Sequence, residues 1–163
     1  MLIRKLGSDT IEFTKIEPPE LDLLKKILAA GDPAGNAAAE SRLYPMPVDP
    51  RETGLIRDWT EFVQPEIERS FAESRELVRG DLATAKPESG RLSRLTFPSN
   101  HVEPWLVVLN QARLVLVEVH KFTERELTAH LLPLSFTRRQ LVLMQINFYA
   151  AIQERLIELE WQE

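Results

Sequence analysis

The sequence predicts a mainly α fold: a single helical domain with a small antiparallel β-hairpin, or three-stranded sheet, near the N-terminus. Three observations carry this. Apolar residues recur at helical spacing over most of the chain, above all from residue 99 onward. Two short alternating segments flank Gly7-Ser8-Asp9 at its start. At 163 residues and 44% apolar content the chain suits one domain. A domain of that size buries about 70% of its unfolded surface, so it needs neither a metal nor a disulfide to hold together. Helices dominate so far that the chain sits close to all-alpha, with the sheet as a minor part.

The hairpin occupies residues 1–16. In Thr10 to Ile16, Ile11 and Phe13 face one way and Glu12 and Thr14 the other, the pattern of a half-buried strand. Pro18-Pro19-Glu20 opens a helix over 18–30, because proline's missing N–H is not needed in a first turn. Leu21, Leu24 and Ile27/Leu28 form its stripe and Gly31 stops it. The GDPAGNAAAE stretch reads as a loop whose alanines could extend a helical turn. Leu43 to Pro50 holds three prolines and reads as an extended segment clamped by Leu43 and Tyr44.

A helical period returns over 51–85. Leu55, Trp59 and Phe62/Val63 share a face, followed by Ile67, Phe71, Ser74, Val78 and Leu82. Pro65 either kinks one long helix or opens a second. Lys86 to Gly90 reads as a loop and Arg91 to Phe97 as a third strand. Ser99 is placed to cap a helix over 99–120. Thr123 and Glu126 form a capping box for a short helix over 123–132. The last helix, 137–161, carries Leu141, Met144, Phe148, Ile152, Leu156 and Leu159 at helical spacing, with a central first half and a solvent-bound second half.

Composition narrows the function. The chain has no cysteine, which excludes thiolate metal sites and cysteine nucleophiles and is compatible with a reducing cytoplasm. Net charge is −5, which disfavours nucleic acid as a partner. The start of the chain lacks the apolar core of a secretory signal, and no apolar run of about 20 residues exists, so no membrane span is expected. There is no G-x-S-x-G, phosphate-binding glycine loop or His-x-x-x-His pair. The histidines His101, His120 and His130 read as exposed or helix-end residues, and neither a metal nor a cofactor is expected. Arg91, Arg94, Arg138 and Arg139 suggest at most a local basic patch; the last two lie in a helix first turn, where cations need an acidic partner or an internal pair.

The polar insert of the helix WLVVLNQARLVLVEVH, Asn110, Gln111 and Arg113, is the most informative local feature. Asn110 and Arg113 project from neighbouring positions on one face. The favoured reading is a structural network, with Arg113 paired to a glutamate of another helix and Asn110 bonded to loop backbone, because an unpaired buried arginine is very unfavourable. A partner surface and an anion site are the alternatives. A small-ligand pocket, if present, would gather Arg42, Tyr44, Asn110 and Arg113. Trp161, near the end of a polar helix, is a candidate interface residue.

Several segments together carry a family resemblance: Glu12 to Ile16, the helix of Leu21 to Leu28, Arg42-Leu43-Tyr44-Pro45, Trp105-Leu106 with Leu109 to Leu116, and Phe148-Tyr149. They are similar to the bacterial domain-of-unknown-function family 2017, whose middle helix resembles W-L-x-x-L-N-D-x-R-L-x-L. Gln111 stands where that pattern commonly has an acidic residue, which argues against a charge-based role at this position. The resemblance implies an intracellular bacterial protein without established activity, in some genomes encoded beside a proteolytic adaptor. It favours a regulatory or protein-interaction role over catalysis. The expectation is therefore a non-catalytic cytoplasmic interaction or regulatory module, homodimeric or bound to another protein. The alternative is a small-ligand binder or an enzyme of unknown class.

Overall fold

The computed structural model describes residues 1–47, 49, 51–128 and 137–161. Four antiparallel strands form one sheet in the order β1-β2-β4-β3, with β1 Leu2–Leu6, β2 Thr10–Ile16, β3 Lys86–Pro87 and β4 Ser93–Pro98. The helices are α1 Pro18–Lys25, α2 Ile27–Ala30, α3 Ala37–Leu43, α4 Thr53–Asp58, α5 Gln64–Ala83, α6 Val102–His120, α7 Glu124–Thr128 and α8 Arg138–Glu160. The fold is mainly α, as the periodicity predicts, but not all-alpha. The sheet has one strand more than expected, because Lys86–Pro87 pairs with β4 where a loop is predicted.

Gly7 turns the hairpin at φ +67°, a conformation that costs glycine nothing. Leu2↔Thr14 through Leu6↔Thr10 set its register. The chain returns after α5 to lay β4 on the far side of β2, Phe13 opposite Leu95 and Ile11 opposite Phe97. The register shifts between Phe13 and Ile16, where Lys15 takes φ +53° and its N–H donates to Glu88 Oε2. β2 is buried on both faces, not half-buried. Ile11 and Phe13 enter the core, while Glu12 is covered on the outer face by Arg4 (2.6 Å) and approached by Arg94 (3.8 Å).

The inner face packs on α6. Phe13, Phe97 and Trp105 form an aromatic trio with centroids 5.0–5.5 Å apart, and Phe97 stacks on the indole at 17°. α6 is the central helix: it touches α2, α3, α5 and α8, and buries Trp105, Val108, Leu109, Ala112 and Val115. Its start differs from the prediction. Ser99 to His101 form a 3₁₀ turn without side-chain capping, and the Ser99 N–H donates to Asp9 O.

The helix predicted over 18–30 changes at Lys26 into α1 and α2, with Leu24 and Ile27 fully buried and Gly31 as the stop. Asn36 caps α3 by accepting from the Ala39 N–H, so the alanines form a full helix. The extended segment predicted from Leu43 includes residues 48 and 50, which lie outside the described residues, as do 129–132 of the helix predicted over 123–132. Pro65 lies in the first turn of α5, so of the two expected outcomes the structure has the second helix. Trp59–Val63 widen into a π turn and α5 follows with helical angles maintained. The widening answers a local problem: proline lacks the N–H and crowds the carbonyl one turn back.

α8 buries Leu143, Ile146, Tyr149, Ile152, Leu156 and Leu159. Leu141 and Met144, predicted to lead its core stripe, are exposed. The first half is apolar nearly all round, so spacing alone leaves its rotation open. Tyr149 decides it: the hydroxyl donates to Leu23 O (2.8 Å) and accepts from Gln145 Nε2 (2.8 Å). Burial pushes this phenol up to about 12.

Phe13→Ala removes the ring shared by the sheet and α6. It is expected to cost about 3–5 kcal/mol of unfolding free energy, read as a lower urea midpoint with an unchanged m value.

Candidate functional site

The polar insert of α6 does not converge on one site. Residues 111 and 113 lie about 200° apart on a helix, so they face opposite sides. Arg113 and Asn110 line a pocket of about 240 Å³ with Arg42, Glu118 and Asn147, over an apolar floor of Leu114, Val117, Leu127 and Ile146. Gln111 lines a second pocket of about 260 Å³, with Tyr44 and α5. Of the four residues expected to gather, Arg42, Asn110 and Arg113 share the first pocket. Tyr44 belongs to the second, because the chain turns at the end of α3 between them.

Arg113 is half-buried, and burial lowers its pKa from the ordinary guanidinium value. Its partner is not the expected glutamate. Nη1 donates to the neutral Gln153 Oε1, and Gln153 Nε2 donates in turn to Leu106 O (3.1 Å). Nε of Arg113 is buried without a partner among the described residues. Asn110 is exposed and, among the described residues, bonds no loop backbone. Arg42 reaches Glu118 at 3.9 Å across the rim. The pocket thus offers guanidinium and amide donors beside an apolar floor, a combination suited to an acceptor-bearing ligand with an apolar body.

Arg139 holds the C-terminal end of α6. This guanidinium bonds Glu126, donates to the carbonyls of His120 and Lys121, and lies 4.2 Å over the Phe122 ring. The expected capping box is present: the Thr123 N–H donates to Glu126 Oε2 and the Glu126 N–H to Thr123 Oγ1. The Thr123 backbone N–H first, then Arg139, hold the Glu126 carboxyl down at about 2. The suggested basic patch is dispersed by these pairings, since Arg94 serves Glu12 and Arg139 serves Glu126.

The sequence reading misses a polar cluster elsewhere. Asp81 on α5 is buried and accepts from the Trp105 indole N–H (2.9 Å), with both oxygens 3.1 Å from His101 Nδ1. His101 is at a helix end, as expected, where it is the N-cap residue of α6, but it is partly buried and bonded, not exposed. The signal is present in the sequence: Ser74, Val78 and Asp81 fall at i, i+4, i+7, which puts an acid on the core stripe. His130 lies outside the described residues. No group of three His, Asp or Glu side chains able to hold a metal occurs among the described residues. Among them, too, no helix is long and apolar enough to cross a membrane.

Trp161 is 83% exposed at the end of α8, one turn after the exposed Ile157. A larger apolar surface lies on α4 and the π turn. Leu55 (51%), Phe62 (62%) and Val63 are exposed on an arm whose main packing is onto itself and α5.

Two measurements test this description. Asp81→Ala strands the Trp105 N–H and His101, and is expected to cost about 2–3 kcal/mol by chemical denaturation, with Asp81→Asn milder. For Glu126, a folded pKa below the usual 4.5 means its contribution to stability is complete above that value and is lost as pH falls toward 2. Carboxyl-resolved NMR titration should place its midpoint near 2, moving back toward 4.5 in Arg139→Ala.

No curated protein and no solved structure matches this chain. The family described as a domain of unknown function, DUF2017, matches residues 1–159, in agreement with the motif resemblance around α6, and the chain belongs to that family.

Proposed function

We propose that this chain is a non-catalytic protein-interaction module that associates with a second copy of itself through the α4–π arm. One observation carries the proposal. Leu55, Phe62 and Val63 line an arm that leaves them in water, although each has the size of a core side chain. Apolar patches of this kind mark contact surfaces. Two arms laid antiparallel about Phe62 would set the two Phe62 rings together, an isologous contact. Trp161 is the alternative contact point on the same chain. The bacterial and cytoplasmic setting we infer rests on the family resemblance, and fractionation of a tagged chain tests it.

Light scattering over a wide concentration range should show a dimer, and Phe62→Asp should leave a folded monomer. A wild type that stays monomeric throughout sinks the self-association. If Trp161→Ala, and not Phe62→Asp, yields the monomer, the contact lies on α8.

A specific observation favours a second reading, a ligand-binding role at the Arg113 pocket: a half-buried guanidinium that, among the described residues, bonds a neutral amide and leaves its Nε without a partner. Carboxylate or phosphate compounds with an apolar body are the expected ligands. Binding at 100 times Kd would stabilise the chain by about 2.7 kcal/mol, and Arg113→Gln should abolish that thermal shift. A broad screen without a hit leaves the interaction module alone.

A further inference from the structure

The second pocket carries an independent observation. Gln111 is 3% exposed, and its Nε2 is buried without a hydrogen-bond partner among the described residues. Buried side-chain donors are nearly always paired, so an orphan calls for a reason. α2 ends directly on α6 at this point: a Cβ on Gly31 would stand 3.4 Å from Gln111 Cβ and 3.3 Å from Ala112 N. Gln111 is also one of the residues that line a space of about 260 Å³.

The remaining polar wall is balanced in charge. It presents Tyr44, Arg75, Arg79, Glu68 and Glu76. Arg75 uses Nη2 on Leu28 O (3.0 Å) and is fixed by it, Arg79 pairs with Glu76, and Glu68 accepts from Gln64 Nε2 (2.8 Å). The Tyr44 ring packs against Phe71 with centroids 5.7 Å apart, and burial with the nearby Glu68 charge raises its phenol pKa. A simple anion would meet Glu68 and Glu76. A simple cation would meet Arg75, Arg79 and the amide N–H. A zwitterion answers both. The volume lies just below the range of drug-sized sites, which suits one small molecule and not a peptide.

We infer that this pocket binds a free α-amino acid, its carboxylate accepting from Gln111 Nε2 and Arg75 and its ammonium facing Glu68. The site is separate from the arm and from the Arg113 pocket.

The test uses the full chain and the twenty common L-amino acids singly, at up to about 10 mM, in a thermal-shift assay followed by calorimetry. At least one amino acid should raise Tm. Its amide, lacking the carboxylate, and its N-acetyl form, lacking the ammonium, should each bind at least tenfold more weakly. Gln111→Leu deletes the orphan donor: the free chain should melt no lower than wild type, and the ligand shift should vanish. Glu68→Gln, an exposed change, should keep the free Tm and weaken binding about tenfold. Absence of any shift with all twenty, or a shift retained in Gln111→Leu, overturns the assignment. So does a lower free Tm in Gln111→Leu with no ligand effect in Glu68→Gln, which would make the amide a structural group satisfied by water.

Discussion

The hydrogen bond between the Trp105 indole and the buried Asp81 carboxylate is the contact on which the rest of the structure depends. It joins the last turn of α5 to the first turn of α6, with His101 on the same carboxylate. With that end fixed, the indole lies flat on Phe97 and against Phe13, so the sheet is seated on α6 by aromatic contact. A carboxylate in the core is tolerated because it is surrounded by donors. Without them its desolvation would be severe.

From that end α6 runs through the centre of the molecule, and its polar insert becomes intelligible. α6 packs against α2, α3, α5 and α8. Of the three polar residues of the insert Asn110 is exposed, and the other two separate by helical angle into the seams between neighbours. Arg113 enters the seam toward α8 and meets Gln153, and Gln111 enters the one toward α3 and α5. Both seams contain small pockets. Beside both, a donor nitrogen has no acceptor among the described residues: Nε of Arg113 and Nε2 of Gln111.

α5 connects these features. Its C-terminal end supplies Asp81, its middle supplies Arg75 and Arg79 to the Gln111 pocket, and its N-terminal end continues into the arm through the π turn. The core anchor, the polar pocket and the exposed apolar surface thus lie along one helical path. Pro65 marks where that path leaves the body of the domain, and beyond it the apolar stripe has no partner sufficient to bury Leu55 and Phe62.

Much of the fold was legible in the order of residues. Gly7, Pro18-Pro19, Gly31 and the Thr123–Glu126 box act within a few positions, and each marks its turn or helix start where predicted. Ile11 and Phe13 were recognisable as core by alternation. The residues that were misread answer to distant partners. Glu12 is buried because Arg4 and Arg94 arrive from two other strands. The rotation of α8 follows from a bond between Tyr149 and Leu23, 126 positions apart. Tyr44 and Arg42, two apart in sequence, were expected to share a pocket and enter different ones. By itself the sequence determined the elements and the polar character of α6, since periodicity and caps are local properties. Tertiary structure alone decided which seam each polar group enters and which nitrogen is left without an acceptor, because hydrogen-bond partners and desolvation depend on groups brought close only by folding.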